Sequence, residues 1–142
     1  MVVGGGVGGT LAGSPVSIGA ARATLEHVLT DKAFEHMVSL STRFTAGVQQ
    51  VIDTHELPWS VSQLGARTEY RFTSPPPANG TESHAATDGE LEDYLHAYLA
   101  NRGILMTPFH NMALMSPVTT REDVDRHHEV VDEAVGGLVR GC

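Results

Sequence analysis

Between Phe34 and Ile52 the sequence carries a stripe that commits it to one kind of local structure. Phe34, Met37, Val38, Phe44, Val48, Val51 and Ile52 recur at three- and four-residue intervals, which is the period of an amphipathic helix. So long a stripe needs an apolar partner to cover it, and the helix is expected to end near His55, before Pro58. A shorter helix should precede it. Ser14 followed by Pro15 is a helix-start signature, and the segment from Pro15 to about Leu29 carries small residues (Gly19, Ala20, Ala21, Ala23) that permit close packing against another backbone or subunit. Thr30 and Asp31 can then cap or kink the chain into the long helix.

From Val61 to Phe72 the period changes. Thr68, Tyr70 and Phe72 alternate with Arg67, Glu69 and Arg71, which predicts a strand pair, or one strand bent at Gly65. The Ser-, Pro- and Asn-rich stretch from Thr73 to Ala86 reads as an exposed loop, including Asn79-Gly80-Thr81, which matches a glycosylation acceptor by tripeptide alone. Asp88 is expected to cap a helix through Asn101, with Leu91, Leu95, Tyr98 and Leu99 on one stripe and Gly103 as its stop. Short strands follow at Ile104–Met106 and Met112–Met115. Thr120 with Asp123 then opens a last helix as a capping box, with Val124, Val131, Val135 and Leu138 on its core side. Strands separated by helices in so few residues predict an α/β (α+β) sandwich, a small sheet covered by helices on one face.

Charge narrows the possible partners. Nine Lys and Arg against 17 Asp and Glu give a formal net charge of -8, so a nucleic-acid backbone or an anionic membrane is repelled on average. No apolar run approaches the roughly eighteen residues of a membrane-spanning helix, and a soluble protein is expected. The single cysteine, Cys142, excludes an internal disulfide framework and fits a reducing cytoplasmic location. The eight histidines are scattered, and the adjacent pair His127-His128 points to different helix faces, so a metal site is not expected. The acids Glu90, Glu92 and Asp93, and likewise Glu122, Asp123 and Asp125, sit in first turns of helices, where they favour the macrodipole. Gly4, Gly6 and Gly9 spell G-x-G-x-x-G, but no strand precedes them and Pro15 opens the helix too late for a dinucleotide turn. A flexible or inter-subunit loop is the better reading, and the glycine run right after Met1-Val2-Val3 looks like a chain opened in the middle of something.

Three segments carry a family likeness. Gly9-Thr10-Leu11-Ala12-Gly13-Ser14-Pro15-Val16-Ser17, Asn101-Arg102-Gly103-Ile104-Leu105-Met106-Thr107-Pro108 and Ser116-Pro117-Val118-Thr119-Thr120-Arg121-Glu122-Asp123-Val124-Asp125 resemble, in this order, segments of class III aminotransferases, a family that includes glutamate-1-semialdehyde aminomutase. The resemblance covers about residues 8 to 138. It implies the small C-terminal domain of a fold-type I enzyme dependent on pyridoxal 5'-phosphate, with a short, mostly antiparallel sheet covered by helices and preceded by a long interdomain helical segment. Residues 1–29 would be the tail end of the large cofactor-binding domain, and residues 30–142 the helical linker and small domain. In the family, a G-T-x-x-G-N-P stretch at the dimer interface binds the cofactor phosphate of the neighbouring subunit. By the match, Gly9 and Thr10 would do so here, with Ser14 in place of the asparagine.

The same resemblance implies amino-acid and keto-acid substrates, a homodimer, and a Schiff-base lysine well before the G-T motif. The one lysine here, Lys32, follows that motif and reads as a surface residue. The chain is therefore expected to be a C-terminal part of a transaminase or aminomutase, inactive alone. Arg67 is the candidate for the substrate carboxylate, because guanidinium captures carboxylates bidentately and the chain resembles β-amino-acid transaminases that place an arginine near here. Pairing of Arg67 with Glu69 is the alternative, and Arg71 is a weaker candidate for the same role. A rival reading of the whole treats the chain as a non-catalytic dimerisation or interaction module that keeps the small-domain fold.

Overall fold

The computed structural model describes residues 13–107 and 110–141. Helix α1 (Pro15–His27) starts at the expected Ser14-Pro15 signature but stops two residues short of Leu29. Helix α2 (Asp31–Thr54) follows with Thr30 as its cap, the threonine hydroxyl accepting from the Ala33 amide. Strands β1 (Ser60–Leu64) and β2 (Arg67–Arg71) then form an antiparallel hairpin in which Leu64 faces Arg67. Only Gly65 and Ala66 separate those two residues, and Gly65 takes φ of +58°. A positive φ at the first position of a two-residue turn matches the strand twist, and glycine reaches it without a steric penalty.

The stretch expected to be loop holds a short helix, α3 (Gly80–Ala85). Asn79 caps it by accepting from the Glu82 amide, while Glu82 accepts from both the Asn79 side chain and the Ala78 amide. Helix α4 (Gly89–Ala100) is capped by Asp88 through the Leu91 amide. It ends at Ala100, one residue short of the expected Asn101, and Gly103 follows as the predicted stop, its φ of +81° letting the Ile104 amide turn back to the Leu99 carbonyl. That return bond uses the backbone that a strand at Ile104–Met106 would need, and the segment is irregular instead. Strand β3 (Met112–Leu114) pairs antiparallel with β2, giving the order β1-β2-β3. Helix α5 (Arg121–Arg140) closes the described chain.

The cap of α5 is a complete capping box. The Thr120 hydroxyl accepts from the Asp123 amide, and the Asp123 carboxylate accepts from the Thr120 amide at 2.8 Å. The bond from the Thr120 amide first, and a 2.9 Å bond donated by the Thr120 hydroxyl to the same carboxylate oxygen second, hold the Asp123 carboxyl below its ordinary range. Removal of the threonine oxygen leaves a first-turn amide without its partner. Thr120→Ala is expected to lower unfolding free energy by about 1 kcal/mol, read as a shift of the urea midpoint at unchanged slope. Asp125, expected to serve the same first turn, instead pairs with Arg43 of α2 through two bonds of 2.6 and 2.8 Å.

One face of the sheet is covered by helices. Leu40, Phe44, Val48, Val51 and Ile52 of α2 meet Val124, Val130, Val131, Ala134 and Val135 of α5, with Leu95 and Leu99 of α4 and Tyr70 and Trp59 from the hairpin side. Thr68 points into the same layer and binds Ser41 and Thr45 of α2. Phe34 and Val38, counted on the stripe from sequence, are half-exposed, whereas Leu40 and Ser41 are buried. Met37, Leu40, Ser41, Phe44, Val48 and Val51 lie three or four residues apart, so they share one face, while Val38 stands a sixth of a turn or more away and Phe34 lies a turn beyond the covered part. Helix α1 buries none of its residues, and Val16, Ile18 and Leu25 are exposed.

Candidate functional site

The second face of the sheet carries charge. Alternation along β2 sends Thr68 and Tyr70 towards the helices and Arg67, Glu69 and Arg71 to the opposite side. Glu69 is the centre of that side, with only 9% of its side chain exposed. Arg67 donates from Nη2 to its Oε2. Arg71 Nη2 stands 2.7 Å and His110 Nδ1 3.3 Å from Oε1, both within ion-pair range, although neither is aligned as a hydrogen bond to that oxygen. A buried carboxylate is tolerated where cations and donors offset its lost hydration, and two guanidiniums do so here. The pairing of Arg67 with Glu69, one of the two sequence readings, is therefore present. It engages a single nitrogen of Arg67 among the described residues, and the Arg67 side chain remains 44% exposed.

Beside this hub, Arg71, His110, Asn111 and Glu92 line a cavity of about 30 Å³, room for about one water. Asn111 is buried with its Oδ1 unpaired. A larger cavity, about 220 Å³, lies at the β3 edge, where Met106, Met112, Met115, Ile104 and Phe44 meet His127. His127 is 3% exposed, and neither ring nitrogen has a partner. Burial first, and the neighbouring His128 second, lower its pKa to about 3, so the ring is a neutral, largely apolar surface at pH 7. Burial also raises the Tyr70 hydroxyl well above its ordinary range.

The two adjacent histidines leave α5 in different directions, with ring planes 80° apart, yet both reach Phe44. His127 stacks obliquely on Phe44 with ring centroids 4.3 Å apart, and His128 Nε2 lies 3.1 Å from the Phe44 carbonyl oxygen. Both pack on the same residue of α2. Among the described residues no group of three or more His, Cys, Asp or Glu is placed to hold a metal ion, and no helix is long and apolar enough to cross a membrane. Gly9 and Thr10 lie outside the described residues. Lys32 is exposed in the first turn of α2, in keeping with a surface lysine. Arg71 joins Arg67 at Glu69. His110 and Asn111 were not singled out from sequence, because they reach β2 from a loop far along the chain and carry no local pattern; Glu69 was legible only as a rival partner of Arg67.

No protein-family model matches the chain. Among curated proteins, a glutamate-1-semialdehyde 2,1-aminomutase of Thermus thermophilus is 30% identical over 129 residues, which is 89% of this chain and 30% of that protein. The aminomutase 1 of Staphylococcus epidermidis is 25% identical over 132 residues, 92% of this chain and again 30% of its own length. A crystal structure of a glutamate-1-semialdehyde aminomutase from Pseudomonas aeruginosa PAO1 is 47% identical with a TM-score of 0.89, over 94% of this chain and 29% of that one; a further crystal structure of that enzyme is in complex with PMP. An ω-transaminase from Sphaerobacter thermophilus, 22% identical over 91% of this chain and 29% of its own, shares the fold with a TM-score of 0.77. The chain thus spans about 30% of the length of the relatives it matches. The order of the motifs, the helix-backed antiparallel sheet and these likenesses agree, and the chain belongs to the class III pyridoxal-phosphate-dependent aminotransferases, as a C-terminal part of such a protein.

Proposed function

We propose that this chain is the small-domain part of a pyridoxal-phosphate-dependent transaminase or aminomutase acting on an amino acid, and that Arg67 binds the substrate carboxylate. In this reading residues 1–29 belong to the large domain and residues 30–142 to the linker and small domain. The exposed α1, set against the well-covered α2 and α5, supports that division. The working unit is a homodimer in the cytoplasm, in which Gly9 and Thr10 reach the cofactor phosphate of the neighbouring subunit, and a keto acid is the second substrate of a transamination. The observation that carries the reading is the 47% identity to the Pseudomonas aminomutase together with a half-exposed guanidinium on the face of the sheet turned away from the helices.

The described residues do not fit the cofactor by themselves. Its aldehyde needs an amine to condense with, and the sole lysine, Lys32, stands exposed on α2 and lines neither the cavity at His127 nor the one at Arg71. The parent polypeptide is proposed to supply the Schiff-base lysine from outside this chain, so the chemistry at the cofactor is not assigned to any residue here. What this chain offers is orientation, because a guanidinium fixes a carboxylate through paired N–H donors.

Arg67→Gln in the complete polypeptide tests the assignment. Loss of a charge-assisted bond amounts to about 1.5–3 kcal/mol, or about 10- to 100-fold. KM for a carboxylate-bearing amino donor is expected to rise by that factor, while KM for the corresponding amine without the carboxylate stays put. Equal KM values in variant and parent for the carboxylate-bearing donor would remove Arg67 from the site.

A further inference from the structure

Glu69 presents a question that carboxylate capture by Arg67 alone does not answer: an acid is buried between two arginines where an anion is expected to bind. We infer that Glu69 is a positioning residue, whose carboxylate bridges Arg67 and Arg71 and holds their guanidiniums as one preorganised ledge for an incoming carboxylate. The inference rests on the proposed role of Arg67.

Three observations carry it. Residues two apart on a strand lie about 7 Å apart on one face, and Glu69 stands midway between Arg67 and Arg71. Its two oxygens are divided between them, Oε2 to Arg67 and Oε1 to Arg71. Within this trio the charges do not cancel, since two guanidiniums face one carboxylate and leave one positive charge, while Asp88 and Glu92 border the Arg71 end from the small cavity. That surplus lies outward, because both arginines are more exposed than the 9% of Glu69. Finally, Glu69 takes one N–H of Nη2 of Arg67 among the described residues, which engages one of the two paired edges of the guanidinium and leaves the other, built on the second N–H of Nη2, to donate to a ligand. A free arginine side chain loses much rotamer freedom on binding; one already held by Glu69 has lost it beforehand, which is the advantage of preorganisation.

This arrangement fixes the sign of the test. A Glu69 that merely competed with ligand for Arg67 would, once neutralised, let anions bind more tightly. A positioning Glu69 gives the reverse. The complete polypeptide and its Glu69→Gln, Arg67→Gln and Arg71→Gln variants are titrated calorimetrically with propanoate, and with propanamide as the uncharged counterpart. Glu69→Gln is expected to weaken propanoate about five- to tenfold, within the range of one lost charge-assisted contact, with propanamide unaffected. Arg67→Gln should weaken propanoate at least as much. Unchanged or tighter propanoate binding in Glu69→Gln, with Arg67→Gln impaired, overturns the inference and leaves Arg67 as the anchor. Unchanged binding in both removes the anchor and the inference together. Equal losses for propanoate and propanamide would show general damage to the site and also overturn it. Should Glu69→Gln fail to fold, Arg71→Gln decides. Removal of the far end of the bridge is expected to weaken propanoate about threefold, and wild-type affinity there overturns the inference.

Discussion

Phe44→Ala is expected to lower the unfolding free energy by about 3–5 kcal/mol, enough to leave a small domain with a total near 5–15 kcal/mol close to unfolding. Phe44 is 2% exposed at the centre of the α2 stripe. It packs on the His127 and His128 rings of α5, so its loss opens a void between the two helices that make most of the core. It also lines the cavity at the β3 edge, and the new void would join that cavity, which leaves little chance of collapse around the smaller residue. Chemical denaturation of the two proteins checks this, and a loss below about 1 kcal/mol would mean that the α2–α5 contact tolerates repacking far better than its burial implies.

Acid should act through His127 with an effect of similar size. Folded, this histidine has a pKa of about 3 because burial disfavours its charge, while the unfolded chain returns it to about 6.5. Between those values the unfolded state binds a proton that the folded state refuses. The stabilising contribution is therefore complete above about pH 6.5 and is lost as pH falls towards 3, on the order of 5 kcal/mol in all. Other groups share the acid limb. His128 is also lowered, by burial first, and Asp125 is held low by the hydrogen bond from Arg43. Comparison with His127→Leu isolates the one residue, since leucine fills similar space and does not titrate. Urea midpoints between pH 7 and pH 4 should fall more steeply in the parent than in the variant, and parallel curves would show that His127 is hydrated or already paired.

Much of this architecture was readable from periodicity, because the same spacing that marks a face also buries it. The α2 stripe, the alternation of β2, the Asp88 and Thr120 caps and the Gly103 stop each rest on a local rule, and each is present. The misreadings came where a local pattern met a non-local demand. Ile104–Met106 is apolar enough for a strand, but its first amide is committed to closing α4. The stretch around α3 is rich in loop formers, and only the reciprocal Asn79–Glu82 bonds reveal a helix there. Phe34 obeys the helical period yet lies past the reach of the covering elements. Of the charged site, the Arg67–Glu69 pair was foreseeable from strand spacing. The approach of His110 was not, since it depends on where the loop before β3 folds back, and no short-range rule encodes that.

The bare surface of α1 has a thermodynamic corollary. A helix that hides none of its side chains gives the α2–α5 body nothing to lose when it frays, so it is a passenger in the cooperative transition. Polar replacements at Ile18 or Leu25 should be silent in any denaturation curve of this chain, and a requirement for those side chains would have to originate in contacts made outside this body.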